Sequence, residues 1–180
     1  MQHWVWRFKW PPDIQKELVT GTNKTGKLKI NDLELAGIVL GWLVLEGGVC
    51  KDLVFKHVGM FCDNTSSVGW AHQGSTSTSL PAARLLRFLA LRQRARQASS
   101  LLPLHIAGED NQMADITSRA FKNGDFFEAH ADLVTYLNLH FPLPQKLSWR
   151  EFKVPTKWVS RVISCLRGEQ LQMESLLLLL

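Results

Sequence analysis

The 180-residue chain has only three cysteines, Cys50, Cys62 and Cys165, and a single tyrosine, Tyr136. The cysteines are odd in number, widely spaced and never arranged as Cys-x-x-Cys, which excludes a disulfide scaffold and a paired-cysteine zinc site. A reducing compartment follows, so an intracellular location, cytoplasmic or nuclear, is expected. The chain also lacks a signal peptide at its start, because Met1–Trp10 is tryptophan-rich and already strand-like. No uninterrupted apolar run reaches the roughly 20 residues that a bilayer requires, so no membrane partner is expected. Acidic residues are the scarcer sign, 16 against 21 lysines and arginines, leaving a formal charge of +5. That balance favours an anionic partner such as nucleic acid. The length suits one domain plus an appendage, and 46% hydrophobic residues are ample for a core.

Trp4-Val-Trp-Arg-Phe-Lys-Trp10 alternates apolar and polar residues over part of its length and reads as a strand that Pro11-Pro12 ends. A short helix is predicted over Asp13–Val19, then a turn-rich loop over Thr20–Gly26. Asn31 opens a helix that runs to about Glu46 and closes at Gly47-Gly48, apolar almost all round through Leu33, Leu35, Ile38, Leu40, Trp42, Leu43 and Leu45. Glu34 stands in its first turn. With Asn31 as N-cap, Glu34 has the spacing of a capping box, so satisfying a backbone donor is one reading of it and chemistry another.

The run Leu53–Cys62 is branched and aromatic, too short for a buried helix, and passes at once into Asn64, Thr65 and Ser66. Asp63 therefore falls at the C-terminal end of a strand. Ligands of open α/β sheets gather beyond the strand C-termini, so a carboxylate there can hold a metal or substrate, or it can simply cap the helix that follows. A short helix over Ser66–His72 and a polar loop over Gly74–Ser79 lead to a longer helix from Pro81 to about Gln97. On its wheel Ala82, Leu85, Leu86 and Leu89 share one side, while Arg84, Arg87 and Arg94 share the other. Those arginines are candidates for gripping phosphates, although a charged outer face is also what any solvated helix shows.

Leu101–Ile106 reads as another strand, Ala107–Asn111 as a loop in which Glu109 or Asp110 can cap, and Asn111–Arg119 as a helix carrying Asp115. Strands alternating with helices give an α/β pattern. An amphipathic helix is predicted over Asp125–His140, a connector through Pro142, Pro144 and Pro155 with Trp149 and Trp158, and a last helix over Lys157–Met173. The five leucines Leu176–Leu180 carry no capping signal and read as truncation or an unusual reading frame.

Three acids thus stand in order: Glu34 in Ile30-Asn-Asp-Leu-Glu-Leu35, Asp63 in Phe61-Cys-Asp-Asn-Thr-Ser-Ser67, and Asp115 in His105-Ile-Ala-Gly-Glu-Asp-Asn-Gln-Met-Ala-Asp-Ile-Thr-Ser-Arg119. In that order they resemble the retroelement ribonuclease H family, the domain downstream of reverse transcriptase in a retrotransposon polyprotein. The resemblance covers Trp4 to Phe121.

It implies a ribonuclease H-like mixed sheet flanked by helices, with a partial domain over residues 1–122, a helix over 123–141, and a linker and helical extension over 142–180. It further implies Mg²⁺, or Mn²⁺, held by Glu34, Asp63 and Asp115 for two-metal hydrolysis of the RNA strand of an RNA–DNA hybrid. The arginine helix would face the hybrid. The family's first strands, with their catalytic Asp, have no counterpart upstream of Trp4, and the family's histidine in the loop before the last acid is absent. The implied expectation is therefore a fragment inactive alone. A non-catalytic nucleic-acid-binding remnant is the alternative, and another hydrolase or exonuclease of the same general fold a third.

Overall fold

The computed structural model describes residues 3–49, 57–96, 100–119 and 133–169. In order these give β1 (His3–Val5), α1 (Pro12–Lys16), α2 (Ile30–Val44), β2 (His57–Cys62), α3 (Thr65–Gln73), α4 (Leu80–Arg96), β3 (Ser100–His105), α5 (Gln112–Arg119), α6 (Leu133–His140), β4 (Trp149–Glu151) and α7 (Thr156–Arg167). The class is mixed α/β. The chain forms two compact units, one from residues 1–9 and 107–154, the other from 10–106 and 155–180.

The larger unit is organised around α2. Its nearly uninterrupted apolar surface is buried, with Leu35, Ala36 and Val39 fully enclosed, because α3, α4 and α7 all pack on it. Ala82, Leu85, Leu86 and Leu89 of α4 are buried as the wheel predicts, with Phe88 beside them. From α7 come Trp158, Val159, Val162, Ile163, Cys165 and Leu166.

Past Val44 the helix widens into a π-turn over Leu45–Val49. A methyl group on Gly47 would fall 2.4 Å from Cζ2 of Trp158, so the glycine lets that indole lie against the backbone. The turn also carries Glu46, whose Oε2 accepts from Nε of the buried Arg92 at 3.0 Å.

Strands β2 and β3 pair in parallel, from His57 opposite Ser100 to Cys62 opposite His105. The connection between them is the α3–α4 crossover, as parallel pairing demands. Val58, Met60 and Cys62 turn toward the helices, and Phe61 and Leu102 on the other face stay largely exposed.

In the smaller unit β1 and β4 pair in parallel, Trp4 opposite Arg150. Leu133, Tyr136 and Leu137 of α6 form its core with Val5, Met113, Ile116, Phe141 and Trp149. Trp149 is fixed twice, its backbone N–H donating to Asn138 Oδ1 at 3.1 Å and its indole N–H to the Phe141 carbonyl at 2.9 Å.

Several expectations are revised. The first strand is only three residues long, ending at Val5 rather than Trp10. Among the described residues there is no single mixed sheet but two separate two-stranded parallel ones. The stretch read as a connector holds β4. The last helix stops at Arg167, short of Met173, because Gly168 adopts φ 79° and its N–H and that of Glu169 turn back to the Ser164 carbonyl. This left-handed closure satisfies the final carbonyls and ends the helix. Of the helix expected over Asp125–His140, the part before Leu133 lies outside the described residues, as do Leu53–Lys56 of the strand and the terminal leucines.

Candidate metal centre

Helix α2 starts two residues earlier than the Asn31 cap implies. Lys29 is its N-cap residue, and Asp32, at the third helical position, reaches back so that Oδ2 accepts the Lys29 N–H at 2.7 Å. Asp32 is buried, and its Oδ1 accepts the hydroxyl of Ser79, the residue whose Oγ also accepts the Ala82 N–H at the start of α4. The capping role considered for Glu34 thus belongs to Asp32.

The same redistribution happens at Asp63. Asn64 is the N-cap of α3, its Oδ1 accepting the Ser67 N–H at 2.9 Å. Its amide donates to Asn31 Oδ1 at 2.8 Å, and Ser67 Oγ donates to the Asn31 carbonyl at 2.8 Å. These bonds lock the start of α3 to the first turn of α2 and so bring the end of β2 up to Glu34.

The result is a cluster of Glu34, Cys62 and Asp63 whose ligand atoms all lie within 4.8 Å of one another. Glu34 keeps part of its surface in water, Asp63 is exposed, and Cys62 is buried at 6% exposure. Burial first and the Asp63 charge second push the Glu34 carboxyl above its ordinary range. The Cys62 thiol is also raised, by burial foremost and by both carboxylates, against a lowering by the Asn64 N–H that it accepts at 3.4 Å. Among the described residues no cation or hydrogen-bond donor offsets either carboxylate. Two adjacent hard oxygen donors without a counter-charge have the chemistry that a divalent cation neutralises.

Of the predicted acids, Glu34 and Asp63 meet here. Asp115 lies on α5 of the smaller unit and is not a member of the cluster. The predicted arginine row is split. Arg87 and Arg94 are exposed, but Arg84 is half-buried with its guanidinium against Gly168, where a methyl group would fall 2.5 Å from Nη1. There it sets a positive charge at the C-terminus of α7, which favours one.

Cys62 and Asp32 escaped the sequence reading. The alternation Val58, Met60, Cys62 carries the signal for the first, since it points Cys62 to the inner face beside the acid. No family model matches the chain, and neither a curated protein nor a solved structure emerges as similar to it.

Proposed function

We propose that this chain is the ribonuclease H portion of a retrotransposon polyprotein, with Glu34 and Asp63 as ligands of Mg²⁺ or Mn²⁺ and an RNA–DNA hybrid as substrate. One observation carries the reading: the acids of two separate motifs converge beyond the end of β2 while Asp32 and Asn64 take the capping roles that would otherwise account for them. Two uncompensated carboxylates suit a hard ion that keeps several of its waters. When bound, such an ion supplies a more acidic water and stabilises charge building on a phosphodiester. Glu34 and Asp63 would fix its place, and Arg87 and Arg94 would draw in backbone phosphates.

The alternative reading is binding without cleavage. Arg87 and Arg94 favour it, being exposed with no ion-pair partner among the described residues, and so does the cluster's possession of two carboxylates where the family uses four.

The test is incubation of the whole chain with an end-labelled RNA–DNA hybrid and Mg²⁺. Cleavage of the RNA strand that Asp63→Asn abolishes supports the nuclease. Salt-dependent binding with no cleavage supports the second reading, and the absence of both disposes of each.

A further inference from the structure

The third member of the cluster has no place in a hard-ion site. Magnesium takes oxygen ligands, whereas a thiol sulfur selects softer ions. Yet Cys62 is not packed away from the acids: its side chain is more than nine-tenths buried, and its Sγ lies within 4.8 Å of a carboxylate oxygen from both Glu34 and Asp63. Among the described residues, the hydrogen bond at that sulfur is the one it accepts from the Asn64 N–H.

We propose that Glu34, Cys62 and Asp63 form a binding site for a thiophilic divalent cation, zinc in class, which excludes a hard ion from the same two carboxylates. The exclusion rests on the Mg²⁺ reading above, whereas the site itself does not.

The dimensions are suitable. Zinc binds thiolate sulfur at about 2.3 Å and carboxylate oxygen at about 2.0–2.2 Å, so at tetrahedral angles its donors stand about 3.3–3.7 Å apart. Drawing ligand atoms that lie within 4.8 Å of one another onto one ion therefore takes a closing of at most about 1.5 Å between any two of them, which side-chain rotation supplies. The ligand set is one sulfur and two oxygens, leaving a fourth tetrahedral position for water. The thiol proton leaves to solvent as the ion binds, and the ion supplies the positive charge that the two acids lack. The three ligands are held by α2, the last residue of β2 and the residue after it, and the Asn31–Asn64–Ser67 bonds fix these segments together before any ion arrives.

The experiment titrates the metal-free whole chain with Cd²⁺, read through the ultraviolet sulfur-to-cadmium charge-transfer band. One equivalent of ion should produce the band in the wild type and in Cys50→Ser, and none should appear in Cys62→Ser. Glu34→Gln and Asp63→Asn should each weaken the apparent affinity by at least the roughly 10–100-fold seen for weaker, supporting contacts. Thermal melts of the four variants establish that each is folded. A band that survives Cys62→Ser, or an affinity untouched in both carboxylate variants, would overturn the site.

Exclusion is read separately, as the fraction of Mg²⁺-dependent hybrid cleavage that remains in Zn²⁺, each protein being referred to its own zinc-free rate. Zn²⁺ should inhibit the wild type strongly and Cys62→Ser weakly, and equal inhibition refutes the competition. A chain that shows the Cd²⁺ pattern but never cleaves hybrid keeps the site and loses the nuclease. Cleavage without any Cd²⁺ band does the reverse.

Discussion

The carboxylate of Asp32 accepts the backbone N–H of Lys29 at 2.7 Å, and its second oxygen takes the hydroxyl of Ser79. One buried acid therefore closes the first turn of α2 and ties it to the start of α4. Asp32→Ala should remove both bonds and leave buried polar groups unsatisfied, at a cost of about 2–4 kcal/mol from the cap and the orphaned partners together. Urea denaturation checks the magnitude. Asp32→Asn, which can still accept, should recover part of the loss.

Glu34 acts in the opposite sense. Its carboxyl is raised by burial and by Asp63, so the folded chain holds that proton more tightly than the unfolded chain does. The associated stability is fully present below the ordinary glutamate value of about 4.3 and is lost as pH rises through the higher folded value. Metal-free Glu34→Gln should then be more stable than wild type at pH 7, by on the order of 0.5 kcal/mol once solvent screening is allowed for. The advantage should vanish in acid. Denaturation curves of both proteins across pH give the answer, and an advantage that grows in acid would contradict the assignment.

Adding Mg²⁺ should reverse that ranking. An ion that binds only the folded chain stabilises it by about 1.4 kcal/mol at ten times its dissociation constant. Wild type should gain this in a thermal melt, while Glu34→Gln and Asp63→Asn should gain little.

Gly47 and Trp158 give a packing prediction independent of any ligand. The indole is buried and rigid, so Gly47→Ala should cost about 1–3 kcal/mol through overpacking. Trp158→Phe removes the ring atoms that the methyl group would strike. The alanine should therefore cost less in that background, which a double-mutant cycle measures.

On α4, Arg87→Ala with Arg94→Ala should lower hybrid affinity and flatten its dependence on salt by about two units of slope, near one for each arginine removed from a phosphate. Arg84→Ala should instead lower stability, because its guanidinium covers the end of α7 at Gly168. Filter binding at several salt concentrations separates the two.

The elements with long apolar patterns were legible in advance. The burial of α2 follows from its apolar residues all round, the packing side of α4 from helical periodicity, and the placing of Asp63 just past a strand from a short branched and aromatic run that meets capping residues. The cap of α2 was not, because Asn31–Glu34 and Lys29–Asp32 share one spacing and only the bond to Ser79, 47 positions on, distinguishes them. Arg84 was misplaced for a related reason. A helical wheel shows which residues share a face, but not that the C-terminus of α7 occupies part of it. Strand β4 was hidden because three residues among prolines carry no alternation, and only the pairing with β1 defines them.

The parallel register that sets Cys62 beside His105 spans some forty residues of chain, all of α3 and α4 included. Ordering a loop of that length is a late and entropically expensive event compared with winding α2. The two carboxylates confront one another only once the comparably non-local Asn31–Asn64–Ser67 bonds have tied α3 to α2. Relieving their repulsion should slow the opening of the chain and leave its rate of collapse nearly untouched, making the acid pair a determinant of lifetime rather than of folding speed.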